Sequence, residues 1–253
     1  MSGHSKWHNI KIKKGIADAK RGKVFTRHAK LIAIAAKEGG GDPMMNPQLR
    51  AAITNAKADN VPNANIDKAI KKGCGEDKEG INFIETLYGG FGPCGTAFLI
   101  HSITDNKNRA IANIKTIMLK NGGNNADSSS IAWMFQRKGK ISAKINGKSD
   151  EEAELAIIES GAEDFEKDGD EFIITTPHGS LMNIKEYLDK TGFDVLKSEL
   201  SYLPKNFVNI EALEDAQQLL KLVDALEDDE DVSMVYTNAF IPEKILAQIH
   251  GPF

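Results

Sequence analysis

The sequence predicts an α+β fold with three domains: an N-terminal helical domain, then two ferredoxin-like α/β domains, the third inserted in the second. Three helices are predicted before residue 74, and the segment 138–204 has the order βαββαβ, the split βαβ arrangement. The flanking segments hold ββαβ and αβ, so joining them completes one α/β layer around the insertion. The predicted boundaries are residues 1–79, residues 80–137 with 205–253, and residues 138–204.

The first helix is predicted over residues 17 to 38 and ends at three consecutive glycines, which are a strong stop signal. At about 100° per residue, one arc of the helix collects its basic side chains, which are Lys20, Lys23, Arg27, Lys30 and Lys37. The neighbouring arc is apolar and comprises Val24, Phe25, Leu31, Ile32, Ala35 and Ala36. Ile34 lies inside the basic arc as an exception. The helix is therefore expected to pack along one stripe and present charge along another.

Two shorter helices follow. Asn46 is the predicted N-cap of the second helix, with Pro47 at its first position, and Val61-Pro62 marks the turn after it. The third helix ends at Gly73 and carries three lysines at or near its outer face, namely Lys68, Lys71 and Lys72. The pair has the outline of a helix-turn-helix, but the third helix lacks the arginines that read guanine edges. Phosphate contact is therefore better supported than base reading.

The segment YGGFGPCG, residues 88 to 95, contains Gly-x-Gly-x-x-Gly at Gly90, Gly92 and Gly95. In a dinucleotide enzyme a strand enters such glycines and a helix leaves them. Here both flanks, residues 83–88 and 96–103, are strand-like. The context favours the loop of a β-hairpin, and a phosphate-binding loop remains the alternative.

The later elements follow the same signals. A helix is predicted at about 110–120 after the polar turn TDNKNR, and a strand over residues 130–137. Inside the insertion we expect helices at 150–160 and 181–190, a hairpin around 168–170 and a strand at 194–202. A long helix at 211–227 and a strand at 233–240 complete the chain.

Composition indicates a soluble globular protein without a membrane partner. Of the 253 residues, 27% are charged and 41% hydrophobic, no apolar run is long enough to span a bilayer, and the N-terminal segment lacks a signal-peptide apolar stretch. The predicted location is the cytoplasm, or the mitochondrial matrix for a processed organellar protein. Cys74 and Cys94 are expected to be free thiols, because their spacing fits neither a disulfide framework nor a CxxC pair.

Charge is divided unevenly along the chain. Residues 1–72 hold fifteen Lys and Arg against five Asp and Glu, whereas residues 73–253 hold 17 against 31. A basic module on an acidic body predicts nucleic acid as the partner, with lysines neutralising phosphates and Trp7 able to stack on a base. The candidate contact residues are Lys6, Trp7, Lys11, Lys13, Lys14, Lys20, Arg21, Lys23, Arg27, Lys30, Lys68, Lys71 and Lys72.

The sequence offers little support for catalysis. His4, His8 and His28 lie among lysines with no Cys, Asp or Glu close by in sequence to complete a metal shell, and no metal is expected. The serine run at residues 128–130 lacks the glycines of a nucleophile elbow. The strands of the inserted unit lack the aromatic pattern with which such sheets stack RNA bases. We therefore expect no enzyme activity and no cofactor.

Several segments together resemble the YebC/PmpR family, which includes mitochondrial translational activators of cytochrome c oxidase. The resemblance covers nearly the whole chain, through GHSKWHNIK, KKGIADAKRGKVFTR, DNVPNANIDKAIKKG, YGGFGPCG, TDNKNRA and KNGGNNADSSSIAWMF. It implies three domains with the third inserted in the second, and no enzyme activity or cofactor. The chain departs from the family's usual pattern at His8, at Cys94 and in SSSIAWMF.

This resemblance implies one of two functions for the basic surface. Bacterial members are commonly described as probable transcriptional regulators that bind promoter DNA, which is the first expectation here. Mitochondrial and some bacterial relatives act in translation on the ribosome or mRNA, which makes ribosomal RNA, mRNA and the ribosome the alternative partners. The sequence does not separate the two.

Overall fold

The computed structural model describes residues 18–75, 83–147 and 149–250, without the side chains of residues 18–21 and 250. The chain forms two compact units. The N-terminal unit contains residues Ala17–Ile81 and Arg137–Tyr202, and the C-terminal unit contains Asn82–Gln136 and Leu203–Phe253. The α+β class is confirmed, since helices come first and two four-stranded sheets follow. The boundaries of three separate domains stay a prediction.

Three helices form the first part of the N-terminal unit, as predicted, and they are α1 (Asp18–Gly39), α2 (Pro47–Ala58) and α3 (Asn63–Gly73). Their shared core contains the α1 stripe of Phe25, Ala29, Ile32 and Ala36. Each of these residues lies three or four positions after the previous one, so all four face the same side of the helix.

Asn46 caps α2 and also joins it to α1. Its side-chain oxygen accepts a hydrogen bond from the Leu49 amide at 3.0 Å, which confirms the predicted N-cap. Its side-chain nitrogen donates to the carbonyl oxygens of Ala35 and Gly40, both at 2.8 Å. One buried amide therefore fixes the start of α2 against the end of α1.

The turn between α2 and α3 is a Schellman motif. Asn60 adopts a left-handed φ of 59°, its amide donates to the Lys57 carbonyl, and the Val61 amide donates to the Ala56 carbonyl. Asn tolerates this backbone region better than most residues. The motif ends α2 at Ala58 and leaves Asp59 at the C-cap position.

The second part of the N-terminal unit is an antiparallel sheet with two helices. Its elements are β4 (Phe135–Ile145), α6 (Asp150–Glu159), β5 (Asp164–Asp168), β6 (Glu171–Pro177), α7 (Leu181–Lys190) and β7 (Phe193–Pro204). The strand order β5-β6-β4-β7 is that of the split βαβ arrangement, as predicted. Its core includes Phe172, Ile174 and Ile157.

The C-terminal unit is built on a second four-stranded sheet. Its elements are β1 (Ile84–Phe91), β2 (Ala97–Thr104), α4 (Lys107–Lys120), β3 (Asn124–Ala126), α5 (Ser128–Ala132), β8 (Val208–Asn209), α8 (Leu213–Glu227), β9 (Val232–Thr237), β10 (Ala239–Phe240) and α9 (Glu243–His250). The sheet order is β3-β1-β2-β9, and every neighbouring pair is antiparallel. Helices α4 and α8 contribute to its core through Ile114, Met118 and Leu219.

This order corrects the expectation of a second ferredoxin-like unit. The split βαβ arrangement places a crossover helix between its first two strands. Here β1 and β2 are joined by a hairpin, with Phe91 opposite Ala97. The unit is therefore an α/β layer of a different connectivity, although its two parts do combine across the insertion as predicted.

The predicted strand over residues 130–137 is also corrected, because its first part is helical. The Asp127 carboxylate accepts hydrogen bonds from the Ser129 amide at 2.8 Å and the Ser129 hydroxyl at 2.7 Å, so it caps α5. Ile131 of this helix is fully buried. The strand starts only at Phe135, since local capping at Asp127 outweighs the strand propensity of the apolar residues that follow.

YGGFGPCG forms the end of β1 and the hairpin turn, as predicted. The Gly92 amide donates to the Thr96 carbonyl at 2.7 Å, and β2 follows where a phosphate-binding loop needs a helix. A Cβ at Gly90 would lie 2.5 Å from Met118 Cε and 2.8 Å from the Asn124 carbonyl oxygen. The glycines therefore permit close packing, and the phosphate-loop alternative is wrong.

Candidate nucleic-acid interface

The basic residues of α1 lie beside its packed stripe. Lys23, Arg27 and Lys30 are half-buried, and all three take part in polar interactions. Lys20 and Arg21 lie on the same helix, but their side chains are outside the described residues, as are five other candidates: Lys6, Trp7, Lys11, Lys13 and Lys14. For all seven, nucleic-acid contact stays a prediction.

Helix α3 presents its lysines away from the core. Ile66 and Ala69 are buried, whereas Lys68 and Lys71 are exposed and Lys72 is half-buried. None of the three lysines forms an ion pair with a carboxylate among residues 18–75, 83–147 and 149–250. Two of them stand in the last turn, where the helix dipole favours positive charge. Within the described residues, no carboxylate therefore neutralises their ammonium groups.

Helix α2 adds two basic residues that sequence reasoning missed. Arg50 and Lys57 are both exposed and stand seven positions apart, so they share one face of the helix. The Arg50 guanidinium donates to the Pro43 carbonyl oxygen at 3.1 Å, while Lys57 has no carboxylate partner within the described parts of the chain. The seven-residue spacing was the signal that could have identified them.

Three positively charged or protonatable groups lie close to the carboxylate of Asp59, at the end of α2. Its carboxylate accepts a hydrogen bond from Nε2 of the buried His28 at 2.7 Å and pairs with Lys197 Nζ, and Arg27 Nη2 lies 3.5 Å away. Burial opposes ionisation of this carboxyl, but the hydrogen bonds from His28 and Lys197 outweigh it and lower its pKa well below the usual range. Arg27 is therefore directed toward an internal carboxylate.

The same cluster connects the helices to strand β7. Lys197 belongs to this strand, and next to it Asn55 of α2 forms two hydrogen bonds with the backbone of Ser198, from Nδ2 to the carbonyl oxygen at 2.8 Å and from the amide to Oδ1 at 2.9 Å. The basic helices and the inserted sheet are thus held together within one unit. Lysine side chains on α3 consequently project from a supported scaffold.

The arginines and lysines of the helical region therefore differ in the contacts that their side chains make. Arg27 pairs with Asp59, and Arg50 binds backbone carbonyls of the loop before α2. Lys57, Lys68 and Lys71 project into solvent. Lysine acts on phosphate as a point charge, whereas bidentate recognition of base edges depends on arginine, asparagine or glutamine. The geometry suits contact with a phosphate backbone.

The motif TDNKNRA has a structural role in the C-terminal unit. Arg109 donates to both carboxylate oxygens of the buried Asp231, at 2.8 and 2.7 Å, and to Asp105 at 2.8 Å. The hydrogen bonds that Arg109 donates to Asp231 and Asp105 raise the pKa of its guanidinium further. This pairing ties the start of α4 to the residue before β9.

Both cysteines are free thiols, as predicted. Cys74 and Cys94 are both unbonded and exposed. Burial and the neighbouring Asp215 raise the pKa of the Cys94 thiol, which lowers the fraction of reactive thiolate. No helix of the described residues is long and apolar enough to cross a bilayer, and in that part of the chain no three His, Cys, Asp or Glu residues are grouped to hold a metal ion.

Comparison with known families covers almost all of the chain. The family model for the TACO1/YebC protein N-terminal domain matches residues 5–76, and that for the TACO1/YebC second and third domain matches residues 83–239. The chain belongs to the TACO1/YebC family. The resemblance drawn from the sequence motifs is thereby confirmed.

Relatives within the TACO1/YebC family carry a shared name. A probable transcriptional regulatory protein of Clostridium acetobutylicum is 48% identical, with 96% of this chain and 98% of that protein covered. One of Fusobacterium nucleatum is 45% identical over 98% of this chain and its whole length. The crystal structure of a conserved hypothetical protein from Aquifex aeolicus matches with a TM-score of 0.83 at 41% identity, covering 94% of this chain and 97% of that one.

Proposed function

We propose that this protein is a regulator that binds nucleic acid through the lysine-rich surface of its helical region. In the first form of the proposal the ligand is DNA and the output is transcription, in keeping with the names of the relatives. Lys68, Lys71 and Lys72 contact phosphates, together with the lysines of α1 and the N-terminal candidates including Trp7, whereas Arg27 faces Asp59. The protein has no catalytic role.

The observation that carries this proposal is that the α3 lysines lie outside the core and form no ion pair with a described carboxylate. They stand on one exposed helix, carry no carboxylate partner among the described residues, and belong to the basic part of an otherwise acidic chain. A lysine that already pairs with a carboxylate must give up that pair before it binds phosphate, and these lysines form no such pair within residues 18–75, 83–147 and 149–250. Binding would release counterions from the nucleic acid, which drives association.

A second candidate function uses the same surface on RNA. The described helical region offers exposed lysines for phosphate contact, whereas the Arg27 guanidinium is directed toward Asp59. A ligand that is recognised by its backbone and shape suits these lysine side chains at least as well as a promoter sequence does. Ribosomal RNA or mRNA, with translation as the output, is therefore the alternative. Both outputs need a compartment that holds nucleic acid, which is the cytoplasm in a bacterium.

Charge reversal tests the surface itself. The triple variant Lys68→Glu, Lys71→Glu, Lys72→Glu should lose most of its affinity for duplex DNA and for RNA. Because each lost phosphate contact lowers the salt slope by about 0.9 on duplex DNA, the slope should fall by about 2 to 3. The matched control reverses three exposed lysines of the C-terminal unit, Lys115, Lys120 and Lys221. Equal losses in both triple variants would show that net charge, and no particular surface, governs binding.

Two measurements separate transcription from translation. Promoter DNA competes with random DNA for the protein, and the protein is sedimented with ribosomes at the same ionic strength. A preference for one promoter by about a thousandfold or more, without ribosome association, supports the transcription form. Equal competition by promoter and random DNA, together with co-sedimentation, overturns that form and supports the translation form.

A further inference from the structure

An open cleft runs between α2 and α3 on the surface of the helical region. Its volume is about 540 Å³. Each helix lines it with residues at the spacing i, i+3, i+4 and i+7, starting at Arg50 on α2 and at Asn63 on α3. That spacing is one continuous face of each helix, so one row of side chains from α2 and one row from α3 line the cleft.

The floor of this cleft is apolar. Ile53, Ile66 and Ile70 line it, and two of these, Ile53 and Ile70, are only half-buried. Pro43 extends the lining at one end, and the next two residues, Met44 and Met45, are each 80% exposed. Exposed methionines are uncommon on a solvated surface and are typical of sites that bind apolar side chains of a partner.

The rims of the cleft carry unequal charge. Arg50 and Lys57 stand on the α2 rim and are separated by seven residues, about 10 Å along the helix. The α3 rim carries the single carboxylate Asp67. Lys68 and Lys71 are on α3 but do not line the cleft. The cleft therefore combines an apolar floor with a net positive rim.

We propose that this cleft binds an acidic amphipathic helix of a protein partner. Aliphatic side chains of that helix rest on the three isoleucines, and its carboxylates meet Arg50 and Lys57. A helix is the expected shape because an amphipathic helix can lay its apolar face on the isoleucines and keep its charged residues toward the rim. This site is additional to the proposed nucleic-acid surface and does not depend on it.

Nucleic acid fits the cleft less well than an acidic helix. A phosphate backbone gains nothing from the three isoleucines of the cleft, and it is repelled by Asp67 on the opposite rim. An acidic amphipathic helix can use both the isoleucines and the charged rims of the cleft. It can turn its carboxylates to the α2 rim and keep neutral or basic residues beside Asp67. Charge and apolar surface thus select the same class of partner.

A designed peptide tests this proposal on the full-length protein. The probe is a fluorescein-labelled helix with leucines at i, i+3 and i+7 and glutamates at most other positions, titrated by fluorescence anisotropy. We expect saturable binding that the double variant Arg50→Glu, Lys57→Glu weakens by about tenfold or more. The control variant Lys68→Glu, Lys71→Glu should bind the peptide as the wild type does. A peptide with lysines in place of the glutamates should not bind.

Two further variants test whether weaker peptide binding results from a change in the cleft or from unfolding of the protein. Lys57→Glu alone leaves the hydrogen bonds of Arg50 to its loop intact, and Thr54→Trp places a large ring in the cleft without changing charge. Both should weaken peptide binding while thermal unfolding stays cooperative. Absent peptide binding, or binding that these variants do not change, overturns the proposal. So does a loss of DNA or RNA affinity in the Arg50, Lys57 variant as large as that in the Lys68, Lys71 variant, because the cleft would then belong to the nucleic-acid surface.

Discussion

The side-chain amide of Asn55 is paired with the backbone of Ser198 through two hydrogen bonds, although 143 residues separate them. Ser198 belongs to β7, an edge strand of the inserted sheet. The amide satisfies the outward N–H and C=O of this strand in the way that a neighbouring strand would. A single helix residue therefore docks α2 on the sheet edge.

Replacing Asn55 by Ala should destabilise the N-terminal unit. Two hydrogen bonds to partly buried backbone groups are lost, at a cost of about 1 to 3 kcal/mol in unfolding free energy. Urea denaturation measures the change, and hydrogen exchange of the Ser198 amide should become faster. Asn65→Ala, at an exposed position on α3, is the matched control and should change the midpoint little.

The Asp59 cluster should make stability depend on acid pH. Because the folded carboxyl has a lowered pKa, its contribution is fully present above the unfolded value of about 3.9 and is lost as pH falls below it. Asp59→Asn should lower the unfolding free energy at neutral pH by an amount on the order of 2 kcal/mol, and the difference from wild type should shrink by pH 3. Asp67→Asn, on the exposed face of α3, should follow the wild-type profile. A constant Asp59→Asn deficit across this range would contradict the assignment.

Arg27 should contribute more to stability than to nucleic-acid binding. Its guanidinium faces Asp59, with 23% of the side chain exposed, whereas Lys71 is exposed and has no carboxylate partner among the described residues. Arg27→Gln should therefore lower the unfolding free energy by up to about 1 kcal/mol and change the salt slope little. Lys71→Gln should lower the slope by about 0.9 and leave stability unchanged. The reverse pattern would show that Arg27 leaves Asp59 to bind phosphate.

The glycines of YGGFGPCG should differ in their tolerance of alanine. Gly90→Ala forces a methyl group against Met118 and the Asn124 carbonyl oxygen, and overpacking of this kind costs on the order of 2 kcal/mol. Gly95 has a φ of 71° but open space around its Cβ position, so Gly95→Ala should cost only the backbone strain of about 1 kcal/mol. Thermal unfolding of both variants checks the order. A larger loss at Gly95 would show that turn conformation matters more than packing.

Features fixed by short-range physics could be predicted from the sequence. Asn46 with Pro47 defined the start of α2, and the glycines at residues 39 to 41 defined the end of α1. The order βαββαβ gave the inserted sheet correctly because each of its elements has a clear apolar period. In contrast, α5 was missed because one capping carboxylate, Asp127, decides between helix and strand for a segment rich in apolar residues.

The sequence predicted which residues of the candidate site carry charge, but it did not predict which side chains contact one another. The lysines of α3 follow from helical spacing alone, and the structure presents them as expected. The pairing of Arg27 with Asp59 depends on the turn between α1 and α2 at residues 40–46, and the pairing of Lys197 with Asp59 depends on a strand far along the chain. Such long-range pairs have no local signature, so sequence periodicity places a side chain on a face without identifying its partner.

The inserted sheet precedes β9 in the sequence. It is therefore synthesised before the C-terminal sheet can be completed. Strand β9 pairs with β2, with Thr237 opposite Phe98, so the fourth strand emerges from the ribosome long after the first two. All residues assigned to the N-terminal unit, up to Tyr202, have been synthesised by then. Pairing of distant strands is slow and leaves an unpaired sheet edge exposed in the meantime. During translation, the edge of β2 therefore stays unpaired until β9 has been synthesised.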